Sequence, residues 1–228
     1  ALNGVPTLEI PLNEDFTLPL EEFMGIPHTL FIANPNAATG IFLPLAEIEA
    51  LVRQNPSRIV VVAEAYIDFG GESCVPLIHK YENLLVTQTF SKSRSMAGAR
   101  LGFGVGCKAL IADLNTVKYS TNPYNVNSMT LAAGLGTMED GDYTAKNCRT
   151  VIENREYTAE ALRRMGFVTT DSKANFIFAM HPRLDGGRLY RTLKARGILV
   201  RHFDKDPIRQ YNRITVGTRE QMDALLSA

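Results

Sequence analysis

The chain has 228 residues, enough for one large domain with a core of its own or for a larger and a smaller one. Hydrophobic residues make up 45% and charged residues 21%, the balance of an ordinary globular protein. The 24 Lys and Arg offset the 24 Asp and Glu, so no net charge favours nucleic acid or an anionic membrane as a partner.

No apolar run approaches the roughly 20 residues that cross a bilayer. The residues from Ala1 onward lack the basic, apolar, small-residue layout of a signal peptide, so a cytoplasmic location is expected. Cys74, Cys107 and Cys148 are odd in number and widely spaced, which fits reduced thiols better than a disulfide framework. His28, His79, His181 and His202 do not cluster at metal-ligand spacing, so no metal site is expected.

Along the chain, short β-like runs alternate with helical patterns. Thr29 to Ala33 is an apolar run that ends in an Asn/Pro/Gly-rich loop, and Leu45 to Gln54 reads as a helix. Arg58 to Ala63 is β-branched and apolar on both faces, the signature of a strand buried in a parallel sheet. Leu84 to Thr89 and Leu101 to Val105 are the next candidate strands. Such alternation predicts an α/β layered sheet whose functional residues gather in loops beyond the strand ends.

After Gly106 the pattern changes. Ala109 to Tyr119, Ser128 to Met138 and Tyr143 to Met165 read as helices, the last ended by Gly166. Short strands are expected at Phe167 to Thr170, Asn175 to Met180, Ile198 to His202 and Arg213 to Val216. Helices are expected near Gly187 to Arg196 and from Arg219. This predicts a larger α/β domain over 1–150 and a small α+β domain over 151–228, with the boundary near Thr150 inside the long helix.

The loop after the Leu84 to Thr89 run concentrates reactive groups: Thr89, Ser91, Lys92 and Arg100 lie within twelve residues. Hydroxyls and a guanidinium suit a phosphate. The lysine between them could be a point-charge ligand, an amine nucleophile or a solvated loop residue.

The segment Thr89-Phe90-Ser91-Lys92, with Arg100 eight residues on in a Gly-Ala-Arg-Leu-Gly context, resembles that of fold-type I pyridoxal 5′-phosphate (PLP) aminotransferases, closest to the histidinol-phosphate group. Asn34-Pro35-Asn36-Ala37-Ala38-Thr39-Gly40 is similar to the family's N-P-N-x-P-T-G loop, and Ala63-Glu64-Ala65-Tyr66-Ile67-Asp68-Phe69 to its D-E-A-Y-x-D-F. Pro123-Tyr124-Asn125-Val126-Asn127, Ala174-Asn175-Phe176, Gly197 to Arg201 and Arg213 to Thr218 follow in the family's order.

The resemblance implies a partial PLP-transferase large domain, a mostly parallel sheet with helices on both faces, followed by the small domain. It implies that Lys92 carries PLP covalently and transfers protons. Thr89, Ser91 and Arg100 would hold the cofactor's phosphate, and Asn36 and Tyr66 its phenolic oxygen. Tyr124, Asn127, Asn175, Arg201 and Arg213 would line the substrate side, the two arginines taking the substrate's anionic end. The implied reaction moves an amino group between L-histidinol phosphate and 2-oxoglutarate in histidine biosynthesis, in a homodimer. Another amino-acid aminotransferase, a phospho-amino-acid decarboxylase or a catalytically impaired form share the fold.

Three departures stand out. The family has Asp where this chain has Ala63; that carboxylate keeps the pyridine nitrogen protonated. Glu64 should point to the opposite face of the strand, and Asp68 lies farther along. Ala38 replaces the loop proline, so a less preorganised loop is expected. The resemblance also implies a further segment ahead of Ala1, carrying a Gly-rich helix start and an aromatic that stacks on the cofactor ring.

Overall fold

The computed structural model describes residues 4–228. Its first sheet contains β1 (Leu30–Ala33), β2 (Val60–Ala63), β3 (Leu84–Thr89) and β4 (Gly102–Gly106), in that spatial order. β1, β2 and β3 are parallel, and β4 returns antiparallel to β3. Residues of even number on the first three strands point to one face. There Leu30, Ile32, Val60, Val62, Leu84 and Val86 form one core with Ile48, Leu51 and Val52 of α2 (Leu45–Gln54), Phe23 of α1 (Leu20–Phe23) and Leu77. The other face is covered by α3 (Lys108–Thr121): Leu110 and Leu114 reach the backbone of Gly106 and Gly104 beside Leu85. Helices therefore lie on both faces of a mostly parallel sheet. Phe31, on the outer face of β1, is 75% exposed.

α4 (Ser128–Glu139) follows, with Met129, Leu131, Leu135 and Met138 exposed, and then the 24-residue α5 (Gly141–Arg164). α5 ends where the pattern places it: Met165 is the C-cap, and Gly166 beyond it has φ +91°, a left-handed conformation that glycine adopts without steric cost.

The second sheet is antiparallel throughout. Its order is β5 (Val168–Thr169), β6 (Phe176–Met180), β8 (Asn212–Thr215) and β7 (Arg201–His202). Its core joins Ile177, Ala179, Ile214 and Val216 to Ala159 and Leu162 of α5, Leu193 of α6 (Gly186–Ala195), and Met222 and Leu225 of α7 (Arg219–Leu226). α7 starts on a complete capping box between Thr218 and Gln221.

Several expected strands shorten, Phe167 to Thr170 keeping only Val168–Thr169, and for two of them the backbone shows why. The Arg58 amide closes a turn on the Asn55 carbonyl, so β2 begins two residues later, at Val60. Gly197 has φ +79° and the Ile198 amide returns to the Leu193 carbonyl, so Ile198 still belongs to the end of α6 and β7 keeps only Arg201 and His202.

Candidate active site

The turn that leaves β2 and the loop that leaves β3 meet. Tyr66 precedes a single 3₁₀ turn, Ile67–Phe69, and the Lys92 Nζ stands 5.3 Å from the centre of its ring. In the Lys92 loop, the Thr89 hydroxyl donates to Ser91 Oγ at 2.9 Å and accepts from the Ser91 amide at 3.1 Å. Arg100 sits in a left-handed conformation (φ +55°). Its exposed guanidinium donates to the Ala97 carbonyl at 3.0 Å through Nη1, and among the described residues its other N–H groups have no partner.

From Tyr66 a line of aromatic and cationic groups runs into the second sheet. The Tyr66 ring meets Phe176 edge-on, with centroids 5.2 Å apart. The Arg213 guanidinium lies 5.0 Å from the Phe176 ring and 5.8 Å from Phe203, and Arg201 lies 5.3 Å from Phe203. Arg201 and Arg213 are direct cross-strand partners, so two guanidiniums share one edge of the sheet. Asn175, immediately before β6, is anchored through its carbonyl by the Val216 amide at 2.9 Å.

The Asn36 loop is fixed by hydrogen bonds, contrary to the looser loop expected from Ala38. The Gly40 amide donates to the Asn36 carbonyl (2.6 Å), the Asn36 amide to Ile41 (2.8 Å), and the Thr39 hydroxyl to Asn36 Oδ1 (2.9 Å). From the second sheet, the Thr170 hydroxyl donates to the Thr39 carbonyl (2.5 Å) and the Lys173 amide to Gly40 (2.8 Å). Asn34 is fully used: its amide group exchanges two bonds with the Leu43 backbone, at 2.9 and 2.8 Å. Among the described residues, Asn36 Nδ2 has no hydrogen-bond partner.

Tyr124 is 91% exposed, and the Asn127 side chain caps α4 by accepting from the Thr130 amide at 2.9 Å. Neither joins the Lys92–Tyr66–Arg213 line. α4 itself reaches the lysine loop, where its Gly134 lies against Leu101 and Phe90.

Ala63 ends β2 opposite Thr87, on the face that also carries Thr89. Glu64 turns the other way and is only 2% exposed. It accepts from Ser73 Oγ (2.6 Å), the Cys74 amide (2.7 Å) and Gln88 Nε2 (2.8 Å). Burial, reinforced by that carboxylate, pushes the Cys74 thiol far above its ordinary value. Burial also raises Cys148, with the Asp68 charge adding to it. Cys107 is only partly buried. A thiol-disulfide reagent at pH 8 is expected to label Cys107 first, with Cys74 reacting only on unfolding, as mass mapping of the labelled peptides would show.

Sequence reading misses Arg155. Its side chain, 3% exposed in α5, donates 2.8 Å bonds from Nη1 to the carbonyls of Phe69 and Ala174. It thereby ties the turn after Tyr66 to the residue before Asn175. Its carboxylate partner, Glu156, is 56% exposed and contributes little. Arg155→Met is expected to cost about 1–3 kcal/mol by orphaning the two carbonyls, read as a lower urea midpoint at unchanged slope.

The donor set fits a phosphorylated aldehyde. Thr89, Ser91 and Arg100 supply two hydroxyls and a guanidinium for a phosphate, and an amine and a phenol stand beside them. Position 63, on the same face, is an alanine and supplies no carboxylate of its own.

A model of the family "Aminotransferase class I and II" matches residues 2–228, and the chain belongs to that family. Among curated relatives it is 49% identical over 218 residues to the histidinol-phosphate aminotransferase of Acinetobacter baumannii, covering 96% of this chain and 60% of that protein. It is 44% identical over 227 residues to histidinol-phosphate aminotransferase 1 of Pseudomonas aeruginosa, covering 100% and 65%. The chain thus spans less than two thirds of the length of these relatives. The fold is shared with the histidinol-phosphate aminotransferase of Clostridium acetobutylicum (TM-score 0.87, 22% identity, 95% of this chain and 68% of that one). It is also shared with the Sinorhizobium meliloti enzyme solved with pyridoxal-5′-phosphate (TM-score 0.84, 22% identity, 97% and 62%).

Proposed function

We propose that this chain carries the lysine and anion-binding portion of a PLP-dependent histidinol-phosphate aminotransferase that uses 2-oxoglutarate as amino acceptor. The observation that carries the reading is Lys92 Nζ standing 5.3 Å from the Tyr66 ring, beside the Thr89–Ser91 hydroxyl pair. The likeness to two histidinol-phosphate aminotransferases at 49% and 44% identity supports the choice of amino donor.

PLP, when bound, supplies the electron sink for the substrate's α-carbon; the protein supplies binding, orientation and electrostatics. Thr89, Ser91 and Arg100 hold the phosphate by charge-assisted hydrogen bonds. Lys92 would hold the cofactor through its amine, and the same amine would move the proton at the substrate's α-carbon. Tyr66 and Asn36 Nδ2 donate to the phenolic oxygen. Arg201 and Arg213, paired across β7 and β8, take the substrate's phosphate, and Asn175 lines its approach.

We further propose a domain boundary near Thr150, since α5 packs into the second core from Val151 onward, and a cytoplasmic location, where thiols such as Cys74, Cys107 and Cys148 stay reduced. The exposed Met129, Leu131, Leu135 and Met138 of α4 support a homodimer.

The test is amino transfer. Glutamate should form from 2-oxoglutarate with L-histidinol phosphate and PLP. Release of carbon dioxide from a phospho-amino acid instead would establish the decarboxylase reading, and the absence of both would establish an impaired form.

A further inference from the structure

We propose that Asp68 and Ser93 are a positioning pair that fixes Lys92 over Tyr66. The inference rests on Lys92 being the cofactor lysine. The Ser93 hydroxyl, in a residue only 7% exposed, donates to Asp68 Oδ2. Ser93 adjoins Lys92, and Asp68 lies two residues after Tyr66. The bond therefore closes a small ring: Tyr66, Ile67, Asp68, across to Ser93, back to Lys92, and from its Nζ to the Tyr66 ring. Among the described residues it is the one hydrogen bond between the loop 90–96 and the turn 66–70.

Both sides of this contact are held rigidly. The Phe69 amide donates to the Tyr66 carbonyl (3.1 Å) and the Gly71 amide to Ile67 (3.0 Å), while Arg155 grips the Phe69 carbonyl. Across the contact, the Ser95 amide donates to the Lys92 carbonyl (3.1 Å) and the Met96 amide to Phe90 (2.9 Å). Asp68 is thus mounted on a fixed turn and Ser93 on a closed loop. The bond between them sets the separation of the two. A lysine side chain keeps several rotatable bonds, and an amine delivered from a fixed Cα searches a far smaller volume than one on a sliding loop. The acceptor is a carboxylate, which makes the bond charge-assisted and about twice as strong as a neutral one. Asp68 is thereby assigned a positioning role, acting through Ser93.

The test is a double-mutant cycle of Asp68→Asn, Ser93→Ala and the double variant, with Ser93→Thr as the conservative rescue. Without cofactor, hydrogen exchange of the peptide spanning 90–96 should accelerate about ten- to a hundredfold in either single variant and no further in the double. With PLP added, the visible band of the Lys92 adduct should appear about tenfold more slowly in each single variant and no more slowly in the double, and Ser93→Thr should restore the rate. Coupled exchange with no band in any variant, wild type included, would support the pair and sink the cofactor role of Lys92. Faster exchange with an unchanged rate of band formation would make the bond a mere loop tether and overturn the proposal. Additive effects in the cycle would overturn it as well.

Discussion

Lys92→Ala is expected to abolish the visible absorbance that PLP develops with this chain, and to lower amino transfer by on the order of 10²–10⁴-fold from the lost proton transfer alone. The variant is expected to fold normally, because nothing that holds the loop depends on the amine. The Thr89–Ser91 bonds, the Ser93–Asp68 bond and the Met96-to-Phe90 backbone bond all remain. Removing the cation of an exposed lysine 5.3 Å from the Tyr66 ring costs about 0.5–1 kcal/mol, well within the stability of a domain. Lys92→Arg is no rescue, since a guanidinium stays protonated and cannot serve as an amine nucleophile. Borohydride reduction followed by peptide mapping locates the adduct. A band of undiminished strength in Lys92→Ala, or an adduct on another lysine, would remove Lys92 from the role. Retained phosphate affinity without the band would instead separate the anion site of Thr89, Ser91 and Arg100 from the covalent step.

The parts of this site that were legible in the sequence are those carried by local pattern. Val60 to Ala63 announces a buried parallel strand because its residues are apolar on both sides, and the reactive loop follows β3 at the strand end. The lysine segment shows in Thr89, Ser91, Lys92 and Arg100 because its members are close in sequence. Arg155 was invisible for the opposite reason. It sits in a polar helix, where an arginine ordinarily faces water, and its partners lie 86 and 19 residues away. The Asp68–Ser93 bond likewise spans 25 residues between two turns, and nothing local to either one says that it meets the other. Ala38 misled in one direction only. A missing proline does remove a local constraint, but Thr170 and Lys173 supply tertiary bonds to the same loop, and no local rule predicts those. Asn127 shows a further limit. An asparagine ahead of a helix fits a cap as well as a ligand, and here its side chain is already spent on the Thr130 amide.

Ala63→Asp is expected to raise amino transfer by on the order of 10- to 1000-fold. A carboxylate within about 4–6 Å of a titrating group favours its protonated, charged form by about 1–3 pKa units, and each unit is about 1.4 kcal/mol. Turnover that depends on a protonated pyridine nitrogen should gain by the same factor. The geometry supports position 63 over its neighbours. Ala63 lies on the strand face that carries Thr89, whereas Glu64 is buried on the opposite face and satisfied by Ser73, the Cys74 amide and Gln88. Swinging Glu64 round would break three hydrogen bonds and orphan their donors, at about 1–3 kcal/mol each, so it cannot stand in. Asp68 is held by Ser93. The gain should carry a cost without cofactor, because the new carboxylate enters a partly buried position; PLP should then raise the melting temperature of Ala63→Asp more than that of the parent chain. Glu64→Gln separates the two carboxylates: it should lower stability and leave the pH profile of turnover unchanged. If Ala63→Asp binds PLP and turns over no faster, ring protonation at this face is not what limits the reaction, and the electron-sink argument for position 63 fails.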